Sequence, residues 1–172
     1  DLSSQRYKAG EVAVIASALK SNVFLTSLNL ADNNIREGTA CLSQMLEVNQ
    51  TLQELDLTGN RIDTKGCASL AKALEVNRSL TSLLLGNVIS DDAAVVLSSA
   101  LLINTTLTNL NLSSVWESDQ IGEHGYTAFW IAYRCNPSLT LDLANTRIVL
   151  SRSKKQTKTN VGVVQALPKV DI

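Results

Sequence analysis

The amino-acid sequence predicts an α/β solenoid, in which short strand-turn-helix units stack side by side into a curved arc. A Leu-x-x-Leu-x-Leu triplet recurs at intervals of 27, 28 and 27 residues, beginning at Leu25, Leu52, Leu80 and Leu107. An apolar stripe with helical spacing follows each triplet and ends in an asparagine. Because neither half of such a unit can bury its apolar side alone, this fixed period indicates units that bury one another.

Each leucine triplet predicts a short strand. The last two leucines of a triplet, such as Leu55 and Leu57, are two residues apart and therefore lie on the same face of a strand, while the residue between them lies on the other face. We expect the strands to form a parallel layer on the concave side of the arc and the helices to form the convex side. Counting a half strand at Asp1, the sequence predicts about six strand positions and five to six repeats.

Each helix is predicted by an apolar residue, two more apolar residues three and four positions later, and an asparagine three positions after those. The copies are Ile15-Ala18-Leu19-Asn22, Leu42-Met45-Leu46-Asn49, Leu70-Ala73-Leu74-Asn77, Leu97-Ala100-Leu101-Asn104 and Phe129-Ala132-Tyr133-Asn136. Asparagine tolerates the left-handed conformation that closes many helices, so we expect these asparagines to be such caps. A second asparagine follows the strand as Asn33, Asn60 and, after a one-residue deletion, Asn87, and is replaced by Val115 and Thr146 in later repeats.

The N-terminal residues align with the interior of a repeat. Asp1 and Leu2 match Asp56 and Leu57, so the sequence starts within a predicted strand and has neither an initiator methionine nor a polar cap. Repeat stacks need such caps at their ends. We therefore expect residues 1–172 to form a single domain that is a fragment of a longer array.

Two segments interrupt the repeat. An insertion at residues 115–124 lengthens the fourth repeat. The fifth strand, residues 139–143, is one residue short, and its helix signature returns only at residues 163–167, after a basic insertion loop at residues 151–159. We expect this loop to bulge from the last repeat.

Composition limits the class of protein. The 172-residue chain is 45% hydrophobic and has a formal net charge of −1, which fits one domain and gives no global reason to expect a polyanionic partner. No apolar run approaches the ~18 residues that cross a bilayer, and no signal peptide is evident. Cys41, Cys67 and Cys135 are odd in number and far apart, which argues against a disulfide framework and a zinc site. We therefore expect free thiols, a cytoplasmic location and no membrane contact.

The repeat also resembles a known family. With its period of 27 to 28 residues, the segment LQELDLTGNRI from Leu52 to Ile62 and its Asn-x-Ser/Thr-Leu junctions, nearly the whole chain is similar to leucine-rich repeats of the ribonuclease-inhibitor type. This resemblance implies a horseshoe fold. It does not identify a partner, because the family includes inhibitors, sensor arms of NOD-like receptors, tropomodulin-type caps of actin pointed ends and Ran GTPase-activating proteins.

The sequence contains no catalytic set, and we expect no enzyme activity, metal or cofactor. The single histidine, His124, lies near Glu117, Asp119 and Glu123, but no second histidine or cysteine supports a metal or acid-base site. P-loop, nucleophile-elbow and Cys-His signatures are absent. Glycosylation sequons begin at Asn49, Asn77, Asn104 and Asn111. The repeat accounts for the first three without a sugar.

A basic run lies near the C-terminus of the sequence. It comprises Arg147, Arg152, Lys154, Lys155 and Lys158, with no acidic residue between its ends. Such a run suits phosphates or an import receptor. The alternative is a solvated insertion, which the lack of interleaved aromatic residues favours, so we expect no nucleic-acid partner.

The outward residues of the predicted strand layer form a polar, mildly acidic column without arginine or lysine. Its members are Asp1, Asn29, Asp56, Leu84, Asn111 and Asp142, flanked by Thr26, Glu54, Thr81, Thr108 and Thr140. Strand faces of this architecture hold partners, so we expect a basic or amide-rich ligand there. The column has no Trp, Tyr or Arg, the residues in which binding energy concentrates, and its affinity should be modest.

The tryptophans are candidates for stronger anchors. Trp130 occupies a helix position where the other repeats have Ala16, Ser43, Ala71 and Ser98. Either the fifth repeat opens a pocket for this indole, or the indole stands on the surface beside Trp116. We expect the insertion, with Trp116, Glu117 and Asp119 and with Trp130 in support, to contribute more to partner binding than the strand column.

These features predict a non-enzymatic protein-protein interaction scaffold. The resemblance leaves two alternatives. An actin-binding cap of the tropomodulin type has a similar repeat number, although residues 161–172 show no amphipathic helix. A GTPase-activating protein of the Ran type would need a repeat-edge residue, for which Arg61 or Asn60 could be nominated only by analogy. The open N-terminal repeat also predicts self-association through that end.

Overall fold

Helices and strands alternate along the chain. The computed structural model describes residues 1–87, 89–113, 121–143 and, for the backbone alone, 148–150. The strands are β1 (Ser27–Asn29), β2 (Glu54–Asp56), β3 (Ser82–Leu84), β4 (Asn109–Asn111), β5 (Thr140–Leu143) and β6 (Ile148–Leu150). The helices are α1 (Ala9–Leu19), α2 (Thr39–Val48), α3 (Thr64–Val76), α4 (Asp91–Leu101) and α5 (Glu123–Cys135), and a 3-10 turn, η1 (Arg36–Gly38), precedes α2.

The strands form one sheet in the order β1-β2-β3-β4-β5-β6. From β1 to β5 the pairing is parallel, and the central leucines are directly in register: Leu28, Leu55, Leu83, Leu110 and Leu141. At the N-terminal edge, the backbone N–H of Leu2 donates to the carbonyl of Asn29 at 2.9 Å, so the first residues continue the ladder. The predicted α/β solenoid and its leucine register are confirmed.

The last strand, β6, was not predicted, since the six predicted strand positions count a half strand at Asp1 and end at residues 139–143. β6 is antiparallel to β5 and pairs Leu150 with Leu141 and Ile148 with Leu143. Only residues 144–147 separate the two strands, and this connection is too short for the crossover that a parallel pair requires. The parallel layer therefore ends at β5. The predicted loop at residues 151–159, the helix signature at 163–167 and most of the insertion at 115–124 lie outside the described residues.

The leucines and the helical stripes fill one continuous core. The central leucines of β2, β3 and β4 are 0% exposed, and so are Leu70, Ala73 and Leu74 on α3. Successive helices pack on one another along the stack. A Cβ atom added at Gly66 would lie 2.7 Å from the Cγ2 of Ile62, so this first turn of α3 has no room for a side chain. Close packing of this kind allows only one arrangement of each repeat against its neighbour.

The predicted left-handed caps are wrong. Asn49 has φ −76° and ψ 121°, Asn77 has φ −68° and ψ 135°, and Asn136 has φ −112° and ψ 95°. All three are extended, because the chain turns straight from the helix toward the next strand and does not need a left-handed residue there. These asparagines are nevertheless buried, so their recurrence needs another reason.

That reason is hydrogen bonding between repeats. The Nδ2 of Asn77 donates to the carbonyl of Leu46 at 2.8 Å and to that of Asn49 at 3.0 Å, one repeat earlier. Its Oδ1 accepts from the backbone N–H of Ser79 at 3.0 Å and of Leu80 at 2.7 Å. A side chain must donate and accept at once to make these bonds, which an amide does and an alanine cannot.

The second asparagine ladder, after the strands, is confirmed in the first three repeats. The Nδ2 of Asn60 donates to the carbonyls of Leu30 at 2.8 Å and Leu57 at 3.0 Å. Asn87 still reaches Leu57 at 2.9 Å despite the deletion in its turn. The positions that replace this asparagine in later repeats, 115 and 146, lie outside the described residues.

Candidate protein-binding site

The sheet presents one side chain per strand in a single row, the strand-face column. It consists of Asn29, Asp56, Leu84, Asn111 and Asp142, which pair in register across β1 to β5. All five residues are partly exposed, and the exposed Asp1 lies beyond the β1 edge. The column is therefore accessible along its whole length and was predicted with the correct register.

Local backbone geometry explains why Asn and Asp recur in this column. Oδ1 of Asn29 accepts from the N–H of Ala31 at 2.9 Å, and Oδ1 of Asp56 accepts from the N–H of Thr58 at 2.9 Å. Asn111 accepts in the same way from the amide two residues later, at 2.7 Å. These bonds hold the chain as it leaves each strand. They use one side-chain oxygen and leave the remaining polar group of Asn29 and of Asp56 for a partner.

The predicted flank of the column is wrong in part, because it mixes two rows. Glu54 pairs with Ser27 and Ser82, so its row contains neither Thr26, Thr81 nor Thr108. Those threonines fall in the neighbouring row, and the hydroxyls of the last two donate to carbonyls one repeat earlier at 3.1 Å each. They therefore support the ladder. Thr140, paired with Asn109, does belong to the row of Glu54.

The strand face is negatively charged. Glu54, Asp56 and Asp142 contribute carboxylates, and neither row of the described sheet contains a lysine or arginine. Asn111 donates from Nδ2 to Oδ2 of Asp142 at 3.2 Å, which joins two members of the column. Like charges on one face raise the local concentration of cationic groups. The partly exposed Leu84 adds an apolar contact at the centre.

The tryptophan residues differ in what the structure describes. Trp130 is partly buried, packs against the core and stacks on Tyr133 with ring centroids 5.9 Å apart and planes inclined by 29°. This arrangement favours the pocket interpretation for Trp130. Trp116, Glu117 and Asp119 lie outside the described residues, and their predicted role is taken up below as a proposal.

The described residues offer little for chemistry. The side chain of His124 is 90% exposed and its Nδ1 lies 3.5 Å from Oδ2 of Asp91. That carboxylate already accepts from the backbone amides of Gly122 at 3.0 Å and Gly125 at 2.6 Å, so it serves to hold the start of α5. Within the described part of the chain there is no cluster of three potential metal ligands. Asn60 is 0% exposed, so it cannot reach a bound nucleotide.

One feature was missed by the sequence analysis. A cavity of about 420 Å³ opens between the N-terminal ends of α2 and α3. Its sequence signal is a segment before α2 that is one residue shorter than in the next repeat, since Leu42 follows Leu30 by 12 residues and Leu70 follows Leu57 by 13. None of the described helices has the length and apolar character needed to span a bilayer.

Comparison with known proteins identifies the repeat. The family model described as Leucine Rich repeat matches residues 21–36 and 48–71. The human protein "NACHT, LRR and PYD domains-containing protein 5" is 45% identical over 75 residues, which is 42% of this chain and 6% of that protein. The chain thus spans less than a tenth of the length of the curated relatives it matches.

Solved structures support the same fold. The actin-binding site 2 of leiomodin-1 superimposes with a TM-score of 0.68 at 21% identity, covering 80% of this chain and 79% of that domain. The C-terminal domain of Caenorhabditis elegans tropomodulin also has a TM-score of 0.68, at 16% identity, with 91% of each chain covered. At such identities the likeness concerns the fold.

Proposed function

Because this chain is a leucine-rich repeat protein, we propose that it is a non-enzymatic interaction scaffold that holds another protein on its strand face. The observation that carries this proposal is the continuous row of exposed polar and acidic side chains across five parallel strands, with no cation in it. Repeats of this kind build extended concave surfaces rather than closed reaction chambers. The structural neighbours and the repeat relatives support the same reading.

The chemistry of the row defines the class of partner. Carboxylates at Glu54, Asp56 and Asp142 favour arginine or lysine side chains, and the amides of Asn29 and Asn111 favour a polar main chain or side chain. A basic, extended segment of a protein therefore fits this face. Since rows of small polar groups bury little apolar area, the affinity of the strand face alone should be modest.

Charge reversal on the strand face tests this proposal. The intact chain would be used to capture proteins from a cell extract, with mass spectrometry to identify them, beside a Glu54→Lys/Asp56→Lys variant. Its matched control is Glu75→Lys, which adds a lysine on the exposed helical face of α3. We expect the strand-face variant to lose the basic partners and the control to retain them. Equal capture by all three proteins would exclude the strand face as the site.

A second surface is proposed from sequence alone. The insertion that carries Trp116, Glu117 and Asp119 supplies the main anchor, because an indole buries a large apolar area and can still donate a hydrogen bond. Trp130 supports it from α5. The widely spaced cysteines are consistent with work in the reducing cytoplasm.

Actin binding is the second candidate function. The leiomodin-1 domain with the same fold is an actin-binding site, and the tropomodulin domain matches 91% of this chain in extent. Co-sedimentation with filaments and pointed-end depolymerisation assays would test it directly. Slowed depolymerisation that is abolished by the Glu54→Lys/Asp56→Lys substitutions would favour an actin cap. No effect at micromolar protein would leave the general scaffold as the function.

A further inference from the structure

The cavity between the starts of α2 and α3 is unlike the strand face in charge. We call it the turn-edge cavity. It is lined by Arg36, Glu37, Ala40, Arg61, Asp63, Lys65, Gly66 and Ser69. With a volume of about 420 Å³, it is large enough for one or two side chains of a partner.

Three cations and two carboxylates line this space, so the lining has a net charge of +1, and none of the three cations is held in an ion pair with a described residue. No carboxylate in the described part of the chain lies within 4.0 Å of the charged groups of Arg36, Arg61 or Lys65. Of the two carboxylates in the lining, Asp63 is already engaged, since its Oδ1 accepts from the N–H of Gly66 at 2.8 Å and caps α3. The Nε of Arg36 donates to Oδ1 of the neighbouring Asn34 at 2.9 Å, which positions its guanidinium.

One wall of the cavity is formed by η1. Helices α3 and α4 start directly at their caps, Asp63 and Ser90, which accept backbone N–H bonds. Before α2, a 3-10 turn takes the place of the first helical turn, and the residue at the N-cap of α2, Gly38, has no side chain to accept such a bond. This turn lies against α1, α2 and α3. The turn places Arg36 and Glu37 in the lining of the cavity.

The turn before α2 also differs in its hydrogen bonds from the equivalent turns of the neighbouring repeats. Oδ1 of Asn33 accepts from the amides of two residues in the preceding turn, and Oδ1 of Asn87 does the same. The equivalent Oδ1 of Asn60 is buried without a partner among the described residues, while the N–H of Arg36 donates to its carbonyl at 3.2 Å. Arg36 and Arg61 both have left-handed backbones, with φ of 48° and 56°. Arg6, which aligns with Arg61 in an earlier repeat, is also left-handed, with φ of 63°, so this conformation belongs to the turn of the repeat.

We propose that the turn-edge cavity binds a carboxylate presented by an acidic segment of a protein partner. Arg36, Arg61 and Lys65 supply charge-assisted hydrogen bonds, and the small residues Ala40 and Ser69 leave room for the adjoining chain. The carboxylates of Glu37 and Asp63 repel a doubly charged phosphate more than a singly charged carboxylate, which favours the peptide. The scaffold would then bind a basic segment on its strand face and an acidic segment at the turn-edge cavity.

Titration of the intact, ¹⁵N-labelled chain with an acetylated, amidated peptide rich in Asp and Glu tests this site. We expect amide shifts to cluster at residues 36–40 and 61–69. Arg61→Gln should weaken binding about 10-fold, the loss expected for one charge-assisted bond. The matched control is Lys72→Gln, on the same helix as Lys65, whose side chain is 79% exposed and only 4.0 Å from Glu47. It should change the affinity by less than about 2-fold.

Three outcomes would overturn the proposal: shifts spread equally over exposed cations such as Lys72 and Arg78, unchanged binding by a folded Arg61→Gln variant, or binding of inorganic phosphate at the cavity without binding of the peptide. Thermal melting of each variant would establish that it is folded. The Glu54→Lys/Asp56→Lys variant should bind the acidic peptide at this cavity as the parent does. The turn-edge site and the strand-face function can therefore fail separately.

Discussion

Leu80 in the middle of the stack and Leu25 near its N-terminal end occupy the same position of the leucine triplet. Leu80 is 0% exposed, whereas Leu25 is 37% exposed. The asparagines that precede them differ in the same way. Asn77 bonds to the preceding repeat through Nδ2, whereas the side-chain bonds of Asn22 to described residues are local, from the amides of Phe24 and Leu25 to its Oδ1. The motif therefore determines the local turn at both places. Its leucine is fully buried only where a neighbouring repeat covers it.

The helices repeat this contrast. On α3 the whole apolar stripe is buried, whereas on α1 Ala18 is exposed and Ile15 is only half-buried. Beside α1, the side chains of Val23 and Phe24 are 66% and 86% exposed. Equivalent residues should thus contribute unequally to stability, because the free energy of burial depends on the area removed from water.

The largest expected effect is on leucines in the middle of the stack. Leu83→Ala or Leu55→Ala should lower the free energy of unfolding by about 2–5 kcal/mol, since each side chain is wholly buried between repeats. Leu25→Ala, the matched control, should cost less than about 1 kcal/mol because part of its side chain is already hydrated. Urea unfolding measures both. A melting temperature of Leu83→Ala within a degree of the parent would contradict the core assignment.

The asparagine ladder gives the next effect. Asn77→Ala removes the donor for two carbonyls and the acceptor for two amides, and should cost about 2–3 kcal/mol because these buried groups are left unpaired. Asn22→Ala loses only the hydrogen bonds of a local turn. Its cost should be about 1 kcal/mol, similar to the loss of a helix-capping side chain. Urea unfolding of the pair sharpens the contrast between middle and end. Equal costs for the two variants would show that the ladder between repeats does not stabilise the stack.

Sequence periodicity was sufficient for the parts of the fold that repeat. The register of Leu55 with Leu83 and the strand-face column follow from a constant spacing and were correctly predicted. The conformation of Asn77 was not, because asparagine has two common uses at helix ends and the pattern does not distinguish them. The predicted alignment of Glu54 with the threonines was wrong by one residue, which is enough to place Glu54 in a different row of the sheet.

Features that occur once were beyond the sequence pattern. The antiparallel direction of β6 depends on the short connection after β5, a length that has no counterpart in the other repeats. The turn-edge cavity depends on side chains from two successive repeats, with Arg36 and Arg61 separated in sequence but brought to one space by stacking. A single chain offers no period from which such sites can be inferred.

The insertion in the fourth repeat and the regular repeats should contribute unequally to partner binding. We expect Trp116→Ala to weaken the native partner by at least ~2 kcal/mol while leaving the melting temperature nearly unchanged, because the indole is proposed as an anchor and not as part of the core. Asp56→Ala should weaken it less. Isothermal titration with the captured partner measures both. Normal binding by Trp116→Ala, with loss in Asp56→Ala or Glu54→Ala, would instead place the whole site on the acidic strand face.

The smallest effect expected at neutral pH is a difference in reactivity between the buried and the exposed thiols. Cys67 is wholly buried on α3, whereas Cys135 is exposed at the end of α5. We expect all three cysteines to remain reduced, and native alkylation at pH 8 to label Cys135 first and Cys67 last. Mass spectrometry gives the order of labelling. A native intramolecular disulfide would overturn both the free thiols and the proposed reducing compartment.

The same contrast should become measurable in alkali. Burial, together with a smaller effect of the nearby carboxylate of Asp63, raises the pKa of Cys67 from 9.0 to about 12. The folded state therefore keeps a proton that the unfolded chain loses first, so this contribution to stability is complete below pH 9 and is lost as the pH rises toward 12. The loss should be about 1 kcal/mol by pH 10. In Cys67→Ala this component of the pH dependence should disappear. If urea unfolding between pH 8 and pH 10 gives parallel curves for the parent and Cys67→Ala, the thiol reaches solvent and α3 is not sealed as the structure places it.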